Sequence, residues 1–197
     1  MLTRRFLSLR KPFVRFLANS SEHANSSQDE DFARLVKDSA GHSREGEHSD
    51  DFFWHNAPIV SAVSSYNNKY GAKIGVYWKS HDEHNVLKSI TSDNYASASL
   101  EALLAVLRQA VYEKHIDKLV VNIGSDYVAK VVNRYLKVWK ENDFIKRDGT
   151  PVKNRDLIEE IDLLMGKLNV NVKYITVPQE KDVREALENE FKESFPG

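Results

Sequence analysis

The sequence predicts an α/β fold in which helices flank one five-stranded mixed sheet, with three antiparallel strands followed by parallel ones. Between residues 52 and 90, three apolar runs are joined by short polar turns, a pattern typical of an antiparallel meander. From residue 97 onward, helix-period segments alternate with two further strand patterns. One of these, residues 119–123, is an almost continuous apolar run that indicates a buried, central strand.

The three strands of the meander are predicted over residues 57–65, 72–78 and 85–90. Asn67, Asn68 and Gly71 mark the first turn, because these residue types tolerate the backbone angles that turns need. Polar residues 81–84 mark the second.

Apolar residues at spacings of three and four predict the helices that follow. The first helix is expected over residues 97–113 and the third over 154–168. The second follows a turn at Gly124-Ser125, with Val128, Val131, Val132, Tyr135 and Trp139 on its apolar face. Residues 170–177 alternate as a half-buried strand, and a last helix is expected over 182–194. The turn at Gly124 follows the carboxyl end of the central strand, where α/β proteins usually place chemistry.

The chain divides into three predicted regions: residues 1–17, 18–51 and 52–197. Residues 1–17 are amphipathic, contain no acidic residue and hold five of the 28 basic residues, as expected of a mitochondrial transit peptide; a basic tail that binds acidic surfaces is the alternative. Residues 18–51 are polar and acidic, which predicts a disordered linker. Residues 52–197 are the predicted folded domain.

Composition excludes several kinds of site. There is no cysteine, so the chain has neither disulfides nor thiolate metal sites. No apolar run approaches the roughly 20 residues of a membrane span, so no membrane partner is expected. Without residues 1–17, 23 basic residues face 29 acidic ones, which argues against strong non-specific affinity for nucleic acid.

The element order and several motifs resemble cellular type 1 ribonuclease H. The motifs are AKIGVYW, the LRQA that ends near Ala110, DKLVVNIGS, VVNRYLKVW, DGTPVKNRDL and YITVPQ. They occur in the family's order across roughly residues 57–190. The resemblance implies the ribonuclease H-like fold and cleavage of the RNA strand of RNA–DNA hybrids by two metal ions.

Such a metal pair needs converging carboxylates, because hard divalent cations prefer oxygen ligands. The resemblance implies one on the first strand, one early in the first helix, one after the fourth strand and one on the last helix. No Asp or Glu occurs from residue 52 to 81, and the next two positions fall on Ser99 and Gly124. Carboxylates displaced from the family positions are Glu101, Asp126, Asp182 and Glu185. We therefore expect a catalytically degenerate member without a metal site.

A nucleic-acid-binding surface is expected on the second helix and the segment after it. The resemblance places aromatics against the DNA strand, and here Tyr135 and Trp139 lie four residues apart among basic residues. The basic residues expected to contact nucleic acid are Lys137, Lys140, Lys146 and Arg147. An ordinary core role for the aromatics, with solvated lysines around them, is the alternative.

Asn154 matches a phosphate-contacting residue of the family, and it is also well placed as an N-cap of the third helix. Both interpretations stay open. The family's other two phosphate-pocket positions fall on Ser92 and Asn94, neither of which is the expected residue.

Three functional hypotheses follow. The first is a protein of the mitochondrial matrix that binds RNA–DNA hybrid or RNA without cleaving it, and needs no cofactor. The second is an active hybrid ribonuclease that uses the displaced carboxylates with Mg²⁺. The third is a structural or protein-interaction subunit of a mitochondrial assembly, which is consistent with the 20 basic and 20 acidic residues between positions 57 and 197.

Overall fold

The computed structural model describes residues 53–196, which contain one five-stranded sheet in the order β3-β2-β1-β4-β5. Its strands are β1 (Ile59–Asn67), β2 (Gly71–Tyr77), β3 (Val86–Ile90), β4 (Lys118–Ile123) and β5 (Asn169–Tyr174). The first three pair antiparallel, and β4 lies parallel between β1 and β5. The predicted mixed sheet is confirmed. The predicted segments 1–17 and 18–51 lie outside the described residues.

Five helices connect or follow these strands in the described part of the chain. They are α1 (Tyr95–Arg108), α2 (Asp126–Lys130), α3 (Leu136–Glu141), α4 (Arg155–Met165) and α5 (Val177–Phe191). Within residues 53–196, none of them is long and apolar enough to cross a membrane.

Alternation along the strands directs side chains to two faces of the sheet. Val60 and Ala62 of β1 face the core beneath α1, where Leu103 and Leu107 are fully buried as their spacing predicts. Val63 points the other way, towards Leu187 of α5, and both lie within contact distance of Gly75. The sheet is therefore covered by α1 on one face and α5 on the other.

The predicted boundary between the last strand and the last helix is wrong. Strand β5 ends at Tyr174 rather than at residue 177, and α5 begins at Val177 rather than at residue 182. Thr176 and Gln179 form a capping box, in which the backbone N–H of Thr176 donates to Oε1 of Gln179 over 2.9 Å. Because of this local bond, only residues 175 and 176 separate the strand from the helix, and the predicted longer loop is absent.

Two π-helical turns also depart from the predicted regular periodicity. One extends α1 through Gln109–Glu113, and the other, Val131–Tyr135, joins α2 to α3. A π turn adds a residue to the helical repeat and shifts the buried face. Leu136, which is outside the predicted apolar stripe, is consequently buried.

Leu187 is the buried residue by which α5 is anchored to the sheet. We expect Leu187→Ala to lower the free energy of unfolding by about 2–5 kcal/mol, because the residue is fully buried and its loss leaves a cavity. Leu163→Ala is the matched control, since Leu163 is 62% exposed and the same substitution there should change stability by less than about 0.5 kcal/mol. Urea unfolding followed by circular dichroism measures both, and equal effects would contradict the assigned packing.

Candidate functional site

Four elements converge at the carboxyl end of β4. Parallel pairing aligns Ala62 of β1 with Ile123, and the backbone N–H of Gly124 donates to the carbonyl of Ala62 over 3.2 Å. The hydroxyl of Tyr95, at the start of α1, donates to the carbonyl of Gly124 over 3.2 Å. The first two turns of α5 complete the site. These are the four elements to which the resemblance assigned carboxylates.

Two buried serine hydroxyls occupy the part of the site between β1 and α1. The Oγ atoms of Ser64 and Ser99 are 2.8 Å apart, and both side chains are at least 97% buried. Ser99 donates its own proton to the carbonyl of Tyr95 over 2.8 Å, so Ser64 is the donor to Ser99. A closed hydroxyl chain thus stands at these two positions. The sequence prediction included Ser99 but missed Ser64.

The space beside Gly124 is filled by Glu180 of α5. A Cβ atom at position 124 would lie 2.5 Å from Cδ of Glu180 and 2.7 Å from its Oε1, closer than real Cβ atoms approach other atoms. The Glu180 side chain is only 12% exposed. The carboxyl group of Glu180 therefore takes the volume that an Asp side chain at position 124 would need.

Arg184 lies one turn further along α5 and completes an ion pair in the site. One of its Nη atoms donates to Oε1 of Glu180 over 2.6 Å and also to the backbone carbonyl of Ser64. Its guanidinium lies 5.1 Å from the ring centroid of Phe195. The guanidinium is thus held by a carboxylate, a strand carbonyl and an aromatic ring. Sequence inspection missed both charged residues; their i, i+4 spacing was a usable signal for the ion pair, but not for its place in the site.

The displaced carboxylates do not build a metal centre. Asp126 forms an exposed ion pair of 2.6 Å with Lys130, whose pKa is raised by that hydrogen bond. Asp182 is exposed, and Glu185 pairs with Lys181 on the exposed side of α5. Glu101 is half-buried on α1, two residues beyond Ser99.

A metal pair therefore does not fit the residues present. Within residues 53–196, no group of three or more His, Cys, Asp or Glu side chains is arranged to hold a metal ion. The site instead holds two hydroxyls bonded to each other and a carboxylate already bound by a guanidinium. Neither arrangement offers the converging, unneutralised oxygens that Mg²⁺ needs.

Tyr135 and Trp139 lie side by side on the helix that follows β4. Their ring centroids are 5.5 Å apart, with the planes tilted by 39°. Both rings are half-buried and pack against the core. Each ring thus packs part of its surface inside the protein and presents the remainder to solvent.

Basic residues surround these rings, but they are not equivalent. Lys140 pairs with Asp162 of α4 over 2.8 Å, whereas Lys137 is exposed and forms no ion pair with a described residue. Lys146 and Arg147 are likewise exposed, with no ion pair in the described part of the chain. We call Tyr135, Trp139, Lys137, Lys140, Lys146 and Arg147 the basic strip.

The two distal members of the basic strip stand on an ordered turn. The backbone N–H of Lys146 donates to the carbonyl of Thr150 over 2.8 Å, and Gly149 closes the turn with a φ of 81°, which glycine adopts without strain. Buried Phe144 and Val152 anchor the two sides of this loop to the core. Lys146 and Arg147 are therefore presented at the tip of a fixed loop.

Asn154 is the N-cap residue of α4, as predicted, but its side chain makes no capping hydrogen bond. Its backbone is left-handed, with a φ of 56°, and its Oδ1 accepts a hydrogen bond of 2.9 Å from Oγ of Ser97. Ser97 in turn donates its backbone N–H to Asn94, the N-cap of α1, and Ser92 bonds the carbonyl of Asn94. The three family phosphate-pocket positions thus lie together around Ser97, in a cluster without charge. Phosphate contact by Asn154 stays a prediction.

Exposed tyrosines surround the carboxyl end of β4, and the sequence analysis did not identify them. Tyr95 bonds Gly124, Tyr127 lies three residues after it, and Tyr174 pairs with Ile123 across the sheet. Their exposed fractions are 39%, 37% and 49%. The pKa of Tyr127 is raised by burial of part of its side chain and by nearby Tyr135. The edge of the site is therefore aromatic.

Comparisons with a family model and with curated proteins both identify ribonuclease H. The family model described as RNase H matches residues 61–182, more than half of the chain. A ribonuclease H of Schizosaccharomyces pombe (strain 972) is 31% identical over 113 residues, and one of Tropheryma whipplei (strain Twist) is 27% identical over 95. These matches cover 55% and 48% of this chain but only 41% and 59% of the relatives.

Solved structures share the fold at lower sequence identity. The foamy viral protease-reverse transcriptase in complex with dsDNA has a TM-score of 0.53 at 16% identity, over 70% of this chain and 96% of that one. LC9-RNase H1, a type 1 RNase H with the type 2 active-site motif, has a TM-score of 0.50 at 15% identity, over 68% and 74%. At these identities the likeness concerns the fold alone.

A methyl group at position 124 tests the geometry of the site. We expect Gly124→Ala to lower the free energy of unfolding by about 1–3 kcal/mol, because the added Cβ pushes the Glu180 carboxyl away from Arg184. In a Glu180→Ala background the same substitution should cost much less, since the obstructing atoms are gone. Urea unfolding of the four proteins measures the coupling, and additive effects would contradict the contact.

Proposed function

Because the chain belongs to the RNase H family, we propose that its folded domain binds RNA–DNA hybrid or duplex RNA and has lost nuclease activity. The observation that carries this proposal is the Glu180–Arg184 ion pair, which fills the site where the family's carboxylates would converge. The matches span about half the length of the curated relatives, so their activity is not transferred to this chain as a whole.

Loss of cleavage follows from the chemistry of the donors. Phosphodiester hydrolysis of this family's kind needs a pair of metal ions to stabilise the attacking and leaving oxygens. Ser64, Ser99 and Gly124 provide no anionic ligand, and the carboxylate of Glu180 is neutralised by Arg184. These positions then offer no free anionic ligand to a metal pair that would activate water.

Retained binding is supported by the basic strip and the aromatic edge. A partly exposed aromatic pair lies beside Lys137, Lys146 and Arg147, which form no ion pair with a described residue. Together they combine ring surface with charge that can neutralise a phosphate backbone. Among the structural neighbours, the foamy viral protein was solved with RNA/DNA hybrid and with dsDNA. Because the folded domain has balanced charge, its affinity would depend on this local strip rather than on a global field.

The proposed location is the mitochondrial matrix, and it rests on the composition of residues 1–17. A mitochondrial partner protein is the remaining alternative of another class. It would be favoured if the purified protein bound no nucleic acid and co-purified with a stable partner.

Charge reversal on the basic strip tests the binding surface. We expect the double variant Lys137→Glu/Arg147→Glu to bind RNA–DNA hybrid about tenfold or more weakly and to lower the salt slope by about two, because two phosphate contacts are lost. Fluorescence anisotropy at several salt concentrations measures both quantities.

Lys88→Glu is the matched control for this experiment. Lys88 is exposed on β3, at the opposite edge of the sheet from β5. Its reversal changes the net charge by as much as either single variant, Lys137→Glu or Arg147→Glu, with which it is compared. Equal losses of affinity in the control and in the basic-strip variant would show that the effect is not local.

Cleavage is tested directly with labelled hybrid and duplex RNA in the presence of Mg²⁺ or Mn²⁺. We expect no products above a no-enzyme control, because the site lacks the ligands for the metal pair. Metal-dependent cleavage that Glu101→Ala or Asp126→Ala abolished would instead establish the displaced carboxylates as catalytic.

A further inference from the structure

We propose that the Glu180–Arg184 ion pair takes the place of the metal centre and makes nucleic-acid binding by this domain independent of divalent cations. The inference rests on the proposed function and extends it. It assigns a role to two residues that lie outside every position identified from the sequence.

The first step of the argument is the charge of the site. Carboxylates gathered at one point repel a phosphate backbone unless cations neutralise them. Here the groups at that point are two hydroxyls, a glycine, one carboxylate and one guanidinium. The formal charges of these groups sum to zero without any added ion, so the positions of the family's converging carboxylates carry no net negative charge that a phosphate would meet.

The second step is that the cation is fixed rather than mobile. Arg184 is tied to Glu180 on its own helix, to the backbone of Ser64 on β1 and to the ring of Phe195. The helix that carries it is started by the Thr176–Gln179 capping box, immediately after β5. The fold therefore fixes the position of the guanidinium, as ligands fix the position of a bound metal ion.

The third step concerns access. The Arg184 side chain is 28% exposed while that of Glu180 is 12% exposed, so the positive member lies nearer to solvent. A guanidinium has five N–H donors and is suited to phosphate oxygens. Here one Nη atom is bonded to Glu180 and Ser64, and Nε is buried without a hydrogen-bond partner among the described residues. The cation is thus the more exposed member of the pair, although part of its guanidinium is enclosed by the protein.

The main experiment measures hybrid affinity in EDTA and in Mg²⁺ at matched ionic strength, with the full chain. We expect the two dissociation constants to agree within about twofold, since no bound cation contributes. In parallel, calorimetric titration of the protein alone with Mn²⁺ should show no saturable site. Binding that requires Mg²⁺, or a Mn²⁺ site lost in Glu180→Gln, would overturn the proposal.

A charge cycle on the pair separates its electrostatic role from a purely structural one. We expect Arg184→Met to weaken hybrid binding by about two- to fivefold, because it leaves Glu180 unpaired, and Glu180→Gln not to weaken it. The double variant is again neutral and should return towards the wild-type affinity. Equal losses in both single variants, without recovery in the double, would indicate structure alone and overturn the proposal.

Lys181 and Glu185 provide the matched control on the same helix. They form an i, i+4 pair of 3.6 Å with both side chains more than half exposed. Lys181→Met and Glu185→Gln repeat the same changes of net charge away from the site, and we expect these two variants to bind hybrid equally well. If Lys181→Met weakened binding as Arg184→Met does, the effect would come from net charge alone.

The two proposals fail in distinguishable ways. If the wild-type protein bound no nucleic acid in either EDTA or Mg²⁺, the proposed function would be wrong. The Mn²⁺ titration would still decide whether the ion pair has replaced the metal centre, because it uses the protein alone.

Discussion

The parallel pairing of β1 with β4 is the constraint on which the rest of the structure depends. It places the ends of two strands side by side at the centre of the sheet, and the backbone of Gly124 is bonded to Ala62 across them. Helix α1 can then reach this point from one face through Ser99, and α5 from the other through Glu180 and Arg184. Any chemistry or recognition at the site is decided by which side chains these four elements deliver to one place.

The polar side chains that these elements bring to the site bond to one another rather than leaving free oxygen ligands. Bringing a carboxylate and a guanidinium partly out of water costs solvation, and such pairs seldom add much net stability. The arrangement fixes the positions of these groups: Glu180 and Arg184 pair within α5, Arg184 also bonds to Ser64 of β1, and Ser64 bonds to Ser99 of α1. Nε of Arg184 is buried without a hydrogen-bond partner among the described residues.

The sequence was sufficient to predict the helices and strands that local apolar periodicity defines. It was not sufficient to predict contacts between residues that are distant in the chain. The apolar spacing of Leu103 and Leu107 was sufficient to identify α1, and the turn residues near Gly71 located the meander. The start of α5 was misplaced because a capping box needs only two polar residues: Thr176, within the predicted strand, and Gln179, two residues beyond its end. The side-chain partner of Asn154 was not predicted, because Ser97 is 57 residues away in the chain.

The candidate site was only partly predictable for the same reason. Ser99 and Gly124 could be located by motif register, and the basic strip by composition. Glu180 and Arg184 could not, since their role appears only when α5 is packed against the strand that carries Ser64. The sequence showed which carboxylates were missing, and the structure shows what stands in their place.

The contact between Glu180 and Gly124 also restricts which substitutions the site tolerates. A carboxylate side chain cannot be placed at position 124 while the side chain of Glu180 fills that volume. Glu180 in turn is held by Arg184, whose removal alone would leave a nearly buried negative charge without a partner. A side chain at position 124 would therefore require further substitutions at positions 180 and 184. The packing of α5 couples the residues that these three positions tolerate.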